Sequence, residues 1–354
     1  MDDDFLNEVR SLKRSVITFG TLAGLALLFT LASPIVHVLV MLYAGILFSV
    51  FLNGLAELVR QKVDVSYRVA AVGVMVILLS VSVLGGWFMG NRVAREVSVI
   101  REKLPQAQKD LGETLRGTGW GQSLISLTQR TEKLWSLDSG IVGNLTGFFS
   151  ETVGVLVSVA FVIVTGIYIS IKPGLYVDGL LKLFPPDRRS ELRDTLNSIG
   201  LALQKWLIGR AVVMAIVGIL TTAGLIAAGI PNSLALGLLA GLLAFVPFLG
   251  PVIAVVPAFL VAFIKDPVLV VPVAIIFVIV HAIGGYLVTP LIQQRAVSLS
   301  PVVLLTSQVI IGLLLGIPGI IIATPLTITI IVIIQKTYIE GYLGDSVEVL
   351  GQGS

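Results

Sequence analysis

The chain has no cysteine. That excludes disulfides, thiol catalysis and thiolate-bound metals. Only two histidines occur, too few for a His-rich metal site. Charge is scarce as well: Asp, Glu, Lys and Arg make up 13% of the 354 residues, against about 25% in soluble domains. The net charge of +3 is small, and the basic residues are scattered through polar segments rather than gathered in a stripe, which argues against a nucleic-acid partner. No G-x-x-x-x-G-K-[ST], H-E-x-x-H or G-x-S-x-G motif is present. ATP-driven work, metalloprotease chemistry and serine hydrolysis therefore lack their recognisable machinery, no cofactor is expected, and the chain does not read as an enzyme.

What fills the sequence instead is apolar: 56% of residues, with a mean hydropathy of +0.99. One aqueous core cannot bury such an excess, so lipid must solvate it, and the fold class is an all-α polytopic membrane protein. A spanning helix needs about 20 mainly apolar residues. Six runs qualify: 16–32, 34–52, 69–90, 152–171, 211–229 and 267–289. The first follows Arg10, Lys13 and Arg14 like a signal peptide, but a second run starts at once at Ile35, so it reads as a retained span. Two further stretches, 233–264 and 300–335, are too long for one span and are broken by Pro and Gly. Both read as helical hairpins.

The polar segments divide the chain. Residues 1–90 hold three spans. Residues 91–148 form a water-exposed segment in which Val93, Val97, Ile100 and Leu104 mark an amphipathic helix, punctuated by Pro105 and by 117–121. That segment reads either as a cap packed on itself or as an oligomer contact. Residues 149–210 hold a span and an amphipathic linker. Pro185, Pro186 and Asp187 start a helix there, and Leu192, Leu196, Ile199, Leu203 and Trp206 form one stripe. The linker helix either lies in the membrane interface or docks on its own bundle. Residues 211–336 form the expected transport core, and 337–354 a tail. With a cytoplasmic N-terminus, the inner segments carry 15 Lys and Arg against 9 outside. The positive-inside rule then puts both termini in the cytoplasm and 91–148 outside.

The strongest internal signal is a repeat. Gly241-Leu242-Leu243-Ala244-Phe245-Val246-Pro247 and Gly312-Leu313-Leu314-Leu315-Gly316-Ile317-Pro318 both read G-L-L-x-x-[VI]-P. Gly237 with Gly241, and Gly312 with Gly316, give the small-xxx-small spacing that lets helices approach closely in lipid. Proline at a break frees backbone carbonyls. At membrane depth such groups are tolerated only inside protein or along a wet cavity. Paired broken segments therefore point to a transporter's binding site. The candidate path residues are Pro247, Gly250, Pro251, Pro318, Gly319 and Pro325, together with Gln308 beside Thr306 and Ser307. Within the apolar runs the ionisable residues are His37, an interfacial anchor after Pro34, and His281, which is either a bonded neutral imidazole or a proton relay.

These residues resemble a known family. Gly229-Ile230-Pro231-Asn232 through Pro247-Phe248-Leu249-Gly250-Pro251-Val252-Ile253-Ala254 is similar to the central signature of the autoinducer-2 exporter family. Gly285 to Pro290, Ser300 to Leu305, and Gly316 to Pro325 resemble its C-terminal signature. The resemblance covers about 200–340 best. It implies a secondary transporter of the cytoplasmic membrane, either an exporter of an autoinducer-2-like small polar solute or a sodium or lithium/proton antiporter. It also implies a homo-oligomer, a pentamer, with two hairpins near the transport path. The partners expected are membrane lipid, a small solute or ion, and further copies of the chain. A non-transporting membrane scaffold is the reading from another class, and a scaffold has no need of two matched broken hairpins.

Overall fold

The computed structural model describes residues 35–80, 152–288, 299–346 and 349–350. The expected first span, the second half of 69–90 and all of 91–148 lie outside these residues. The described elements are helical throughout. They are α1 (Ile35–Lys62), α2 (Tyr67–Ser80), α3 (Thr152–Ile171), α4 (Pro173–Leu181), α5 (Arg189–Ala227), α6 (Ser233–Leu243), α7 (Leu249–Lys265), α8 (Val270–Ala282, continued by a wider π turn to Val288) and α9 (Pro301–Ile333, continued by a π turn to Leu343). Four helices are long and apolar enough to cross a membrane, or five if α3 and α4 count as one broken span. Six full spans are therefore not present among the described residues. Large apolar side chains point outward from these helices: Ile219, Val278 and Val309 expose 67%, 70% and 57% of their surfaces.

The linker and the span expected at 211–229 are one helix. α5 runs unbroken for 39 residues, roughly 58 Å at 1.5 Å per residue, about twice the hydrocarbon thickness. No Pro or helix-ending Gly separates the halves, so nothing stops propagation. Its amphipathic first half does not float free. Leu203 and Trp206 are buried with Leu47 of α1 and Ile328 and Val332 of α9. Of the two readings of the stripe 192–206, the structure has the docked helix. The segment that turns away is α4 instead, bent 86° from α3 at Lys172.

Along its second half, α5 is the spine of the other core. Val213, Val217 and Leu225 cluster with Leu236 and Ala240 of α6, Ala254 and Ala258 of α7, and Val273 and Phe277 of α8. α6 lies antiparallel on α5. Gly237 meets Thr222, Gly241 meets Gly218 and Met214, and the chain then turns back into α7. Lys265 Nζ at the end of α7 donates to the Gly229 carbonyl, so both ends of the hairpin sit on one side. A side chain at 237 or 241 would strike α5 backbone, which is why this small-xxx-small pair is glycine.

The second hairpin is also real: α9 consists of two helical arms that meet at a kink. Gly316 adopts φ 67 and ψ −149. Gly319 comes up against the Ile311 carbonyl, and Gly312 against Ile320. Residues eight apart in a straight helix are separated by roughly 12 Å, so the two arms fold back on each other. The repeat is not carried into geometry, however. The first hairpin turns after its proline, at Phe248, and the second before its proline, at Gly316.

Candidate functional site

The break of the first hairpin is where the unusual chemistry collects. After Ala244 the helix loosens, and Phe248 takes φ 63 and ψ −54. Leu249 N–H donates to the Pro247 carbonyl at 2.7 Å, closing a γ-turn around Phe248. That hand of γ-turn is rare and strained, and for a bulky residue the strain is of order 1–3 kcal/mol. Gly250 follows because a Cβ there would collide with the Leu243 carbonyl. Pro251 lies in the first turn of the return helix, where a missing N–H costs nothing.

Two long side chains reach the carbonyls of this break from other elements. Arg210 Nε of α5 donates to Phe245 O at 3.0 Å. Gln308 Nε2 of α9 donates to Pro247 O at 2.9 Å. Trp206, one turn before Arg210, packs edge-on against Phe245 with centroids 5.5 Å apart. Arg210 is 8% exposed and Gln308 1%. Arg210 is in none of the ion pairs among the described residues. The described carboxylates nearest to it in sequence, Glu191 and Asp194, are exposed. A guanidinium stays charged in proteins, and burying a charge without a counter-ion costs several kcal/mol. Gln308 Oε1 is buried and unpartnered as well.

The other sequence candidates fall in different places. Pro318 is exposed at the apolar tip of the second hairpin, beside Leu313 and Ile317 at 83% and 70% exposure. Gly319 packs on Ile311 and Leu315 of its own hairpin, and Pro325 is buried within the second arm. The second hairpin thus reaches the first break through Gln308, and not through its own Pro-Gly. His281 stacks on Phe277, and its Nδ1 bonds the Phe277 carbonyl at 2.8 Å. Its Nε2 is buried with no partner among the described residues, as is Thr221 Oγ1 on α5. Gly224 meets Ile276 and Gly284 meets Val217, so Thr221 and His281 lie at similar depth along the α5–α8 pair. His37 is exposed near the start of α1. No group of three or more His, Asp or Glu is placed to hold a metal among the described residues.

Sequence reasoning missed Arg210, counting it as a linker charge. The signal was available: Leu203, Trp206, Arg210, Val213 and Val217 recur at spacings of 3, 4, 3 and 4. That puts an arginine on the buried stripe. A separate groove of about 550 Å³ lies between α5 and α6, lined by Met214, Gly218, Thr222, Leu234, Leu238 and Gly241. It includes neither Arg210 nor Gln308, and its lining suits an acyl chain rather than a polar solute.

The sequence model of a family described as AI-2E family transporter matches residues 17–339. Two Bacillus subtilis (strain 168) proteins carry the name putative transport protein. YueF is 25% identical over 297 residues, 80% of either chain; YrrI is 33% identical over 136 residues, 38% of this chain and 37% of its own. A Thermotoga maritima protein named likewise is 25% identical over 239 residues, 67% of this chain and 71% of its own.

Proposed function

The chain belongs to the AI-2E transporter family, and from that premise we propose that it is a secondary transporter exporting a small polar solute, of the autoinducer-2 kind, by alternating access. The observation that carries this reading is the break at Phe245–Leu249, whose carbonyls are held by side chains from two other elements. α9 packs mainly on α5, and Gln308 bridges from it to the break. A joint made by one long side chain can part and re-form as the hairpins move. The first hairpin enters and leaves on one side as a re-entrant element, since its leading helix of 11 residues reaches only about 16 Å.

Sodium or lithium/proton antiport is the weaker reading. It needs a buried carboxylate or free carbonyls for the cation. Among the described residues no Asp or Glu is buried. The freed carbonyls at 245 and 247 already accept from Arg210 and Gln308, and a guanidinium beside them repels a metal cation. His281 Nε2, an acceptor with no partner, is the proposed proton relay. The protein sits in the cytoplasmic membrane as a homo-oligomer, with both termini inside.

Flux from proteoliposomes loaded with radiolabelled polar solutes, with imposed H⁺ or Na⁺ gradients, tests the reading. Solute efflux above that of empty liposomes is expected. Exchange of Na⁺ for H⁺ with no solute movement would replace the exporter by the antiporter. No flux of any kind would leave the scaffold.

A further inference from the structure

The buried arginine carries more than a structural bond. Its Nε is committed to Phe245 O, which leaves both Nη groups without a hydrogen-bond partner among the described residues. A guanidinium offers five donors in a planar fork that matches a carboxylate or phosphate. Nearby, Gln308 Nε2 holds Pro247 O, two residues along the same turn, and its Oε1 accepts nothing. The site therefore presents an unneutralised cation and, on a side chain bonded two residues along the same turn, an acceptor that lacks a donor. A single ligand satisfies both if it carries an oxyanion and a hydroxyl.

We propose that Arg210 and Gln308 bind a small hydroxylated oxyanion at the break of the first hairpin, and that this anion is the group by which the transported solute is recognised. The inference rests on the transport reading above and narrows its substrate class. The oxyanion sits on the Nη edge of Arg210, and the hydroxyl donates to Gln308 Oε1. Anion binding neutralises the one buried charge on α5, which otherwise lies against a helix break with no counter-ion. A metal cation is repelled from the same place. The phosphate of a glycerol-headed lipid has the same chemistry as a free hydroxylated phosphate. We assign the site to the free solute, because Arg210 is buried within the protein rather than turned to the lipid face.

Calorimetric titration of the purified full chain with glycerol 3-phosphate, lactate and glycerol tests this. At least one of the two anions should bind and glycerol should not. Arg210→Gln, which keeps a donor for Phe245 O, should weaken anion binding about thirtyfold or more, and Arg210→Lys should restore part of it. Should Arg210→Gln fail to fold, Gln308→Glu supplies the check: its carboxylate is nearly isosteric, pairs with Arg210 from within and should abolish anion binding. Equal binding of anion by wild type and by either Arg210→Gln or Gln308→Glu, or no binding of either anion, overturns the proposal. Arg210-dependent binding of phosphatidylglycerol without binding of glycerol 3-phosphate or lactate overturns the solute assignment. Binding needs no flux, so the two readings fail separately. Arg210-dependent anion binding with no transport in liposomes sinks the transporter. Transport of neutral solutes that survives Arg210→Gln sinks the anion site.

Discussion

Gly218 and Gly241 face each other across the α5–α6 contact, yet alanine should have opposite effects at the two. A Cβ at 241 would lie 2.8 Å from the Met214 carbonyl oxygen and 3.0 Å from Gly218 Cα. Both are backbone atoms of a 39-residue helix and cannot rotate aside. Ordinary contact begins at 3.4 Å, so the helices must part by about 0.6 Å. Overpacking of that kind costs about 1–3 kcal/mol, and better helix propensity returns up to about 1. The net loss for Gly241→Ala is up to about 2–3 kcal/mol. A Cβ at 218 meets Gly237 O at 3.4 Å and Gly241 Cα at 3.5 Å, ordinary contacts that need no movement. Gly218→Ala therefore keeps the propensity gain and is neutral or slightly stabilising. Thermal unfolding in one detergent reads the difference; about 2–4 °C per kcal/mol holds for about 150–250 residues, and a chain of 354 shifts by less. A Gly218→Ala protein that melts at or below Gly241→Ala would show that the two helices do not meet as described.

Two further outcomes follow from the site and a third from the distribution of Lys and Arg along the chain. Gln308→Leu removes one donor to Pro247 O together with an unpartnered buried oxygen, so stability should change by less than about 1 kcal/mol while solute flux falls; a loss of fold without a specific loss of flux would make Gln308 structural. His281→Gln cannot titrate, so the pH dependence of flux should vanish; an unchanged pH profile removes His281 from the mechanism. Ser123→Cys should react with an impermeant thiol reagent on intact cells, and labelling only after lysis would invert the topology.

Much of the architecture is written in the hydropathy of the chain. The apolar run 152–171 is helical among the described residues and ends with α3 at Ile171, and the Pro-Gly interruptions at 244–250 and 316–319 mark real reversals. Periodicity alone could not settle whether the stripe 192–206 faces lipid headgroups or protein, because both partners are apolar. It became a docked helix because α1 and the second arm of α9 come against it, which is tertiary information. The repeat suggested two equivalent breaks, but turn chemistry overrode it: glycine at 316 takes the positive φ before Pro318, while position 245 is phenylalanine and the turn moves on to Phe248. Arg210 was legible only to someone who carried the stripe across the boundary between linker and span.

The central claim is that the first hairpin's break lies on a path opened alternately to either side of the membrane. The absence of native cysteine makes the test direct. Val246, between the two clamped carbonyls, is partly buried. Val246→Cys should be modified by an impermeant thiol reagent added separately to right-side-out and to inside-out vesicles, and modification from either side should stop flux. Labelling from one side alone, or from neither, would contradict the account.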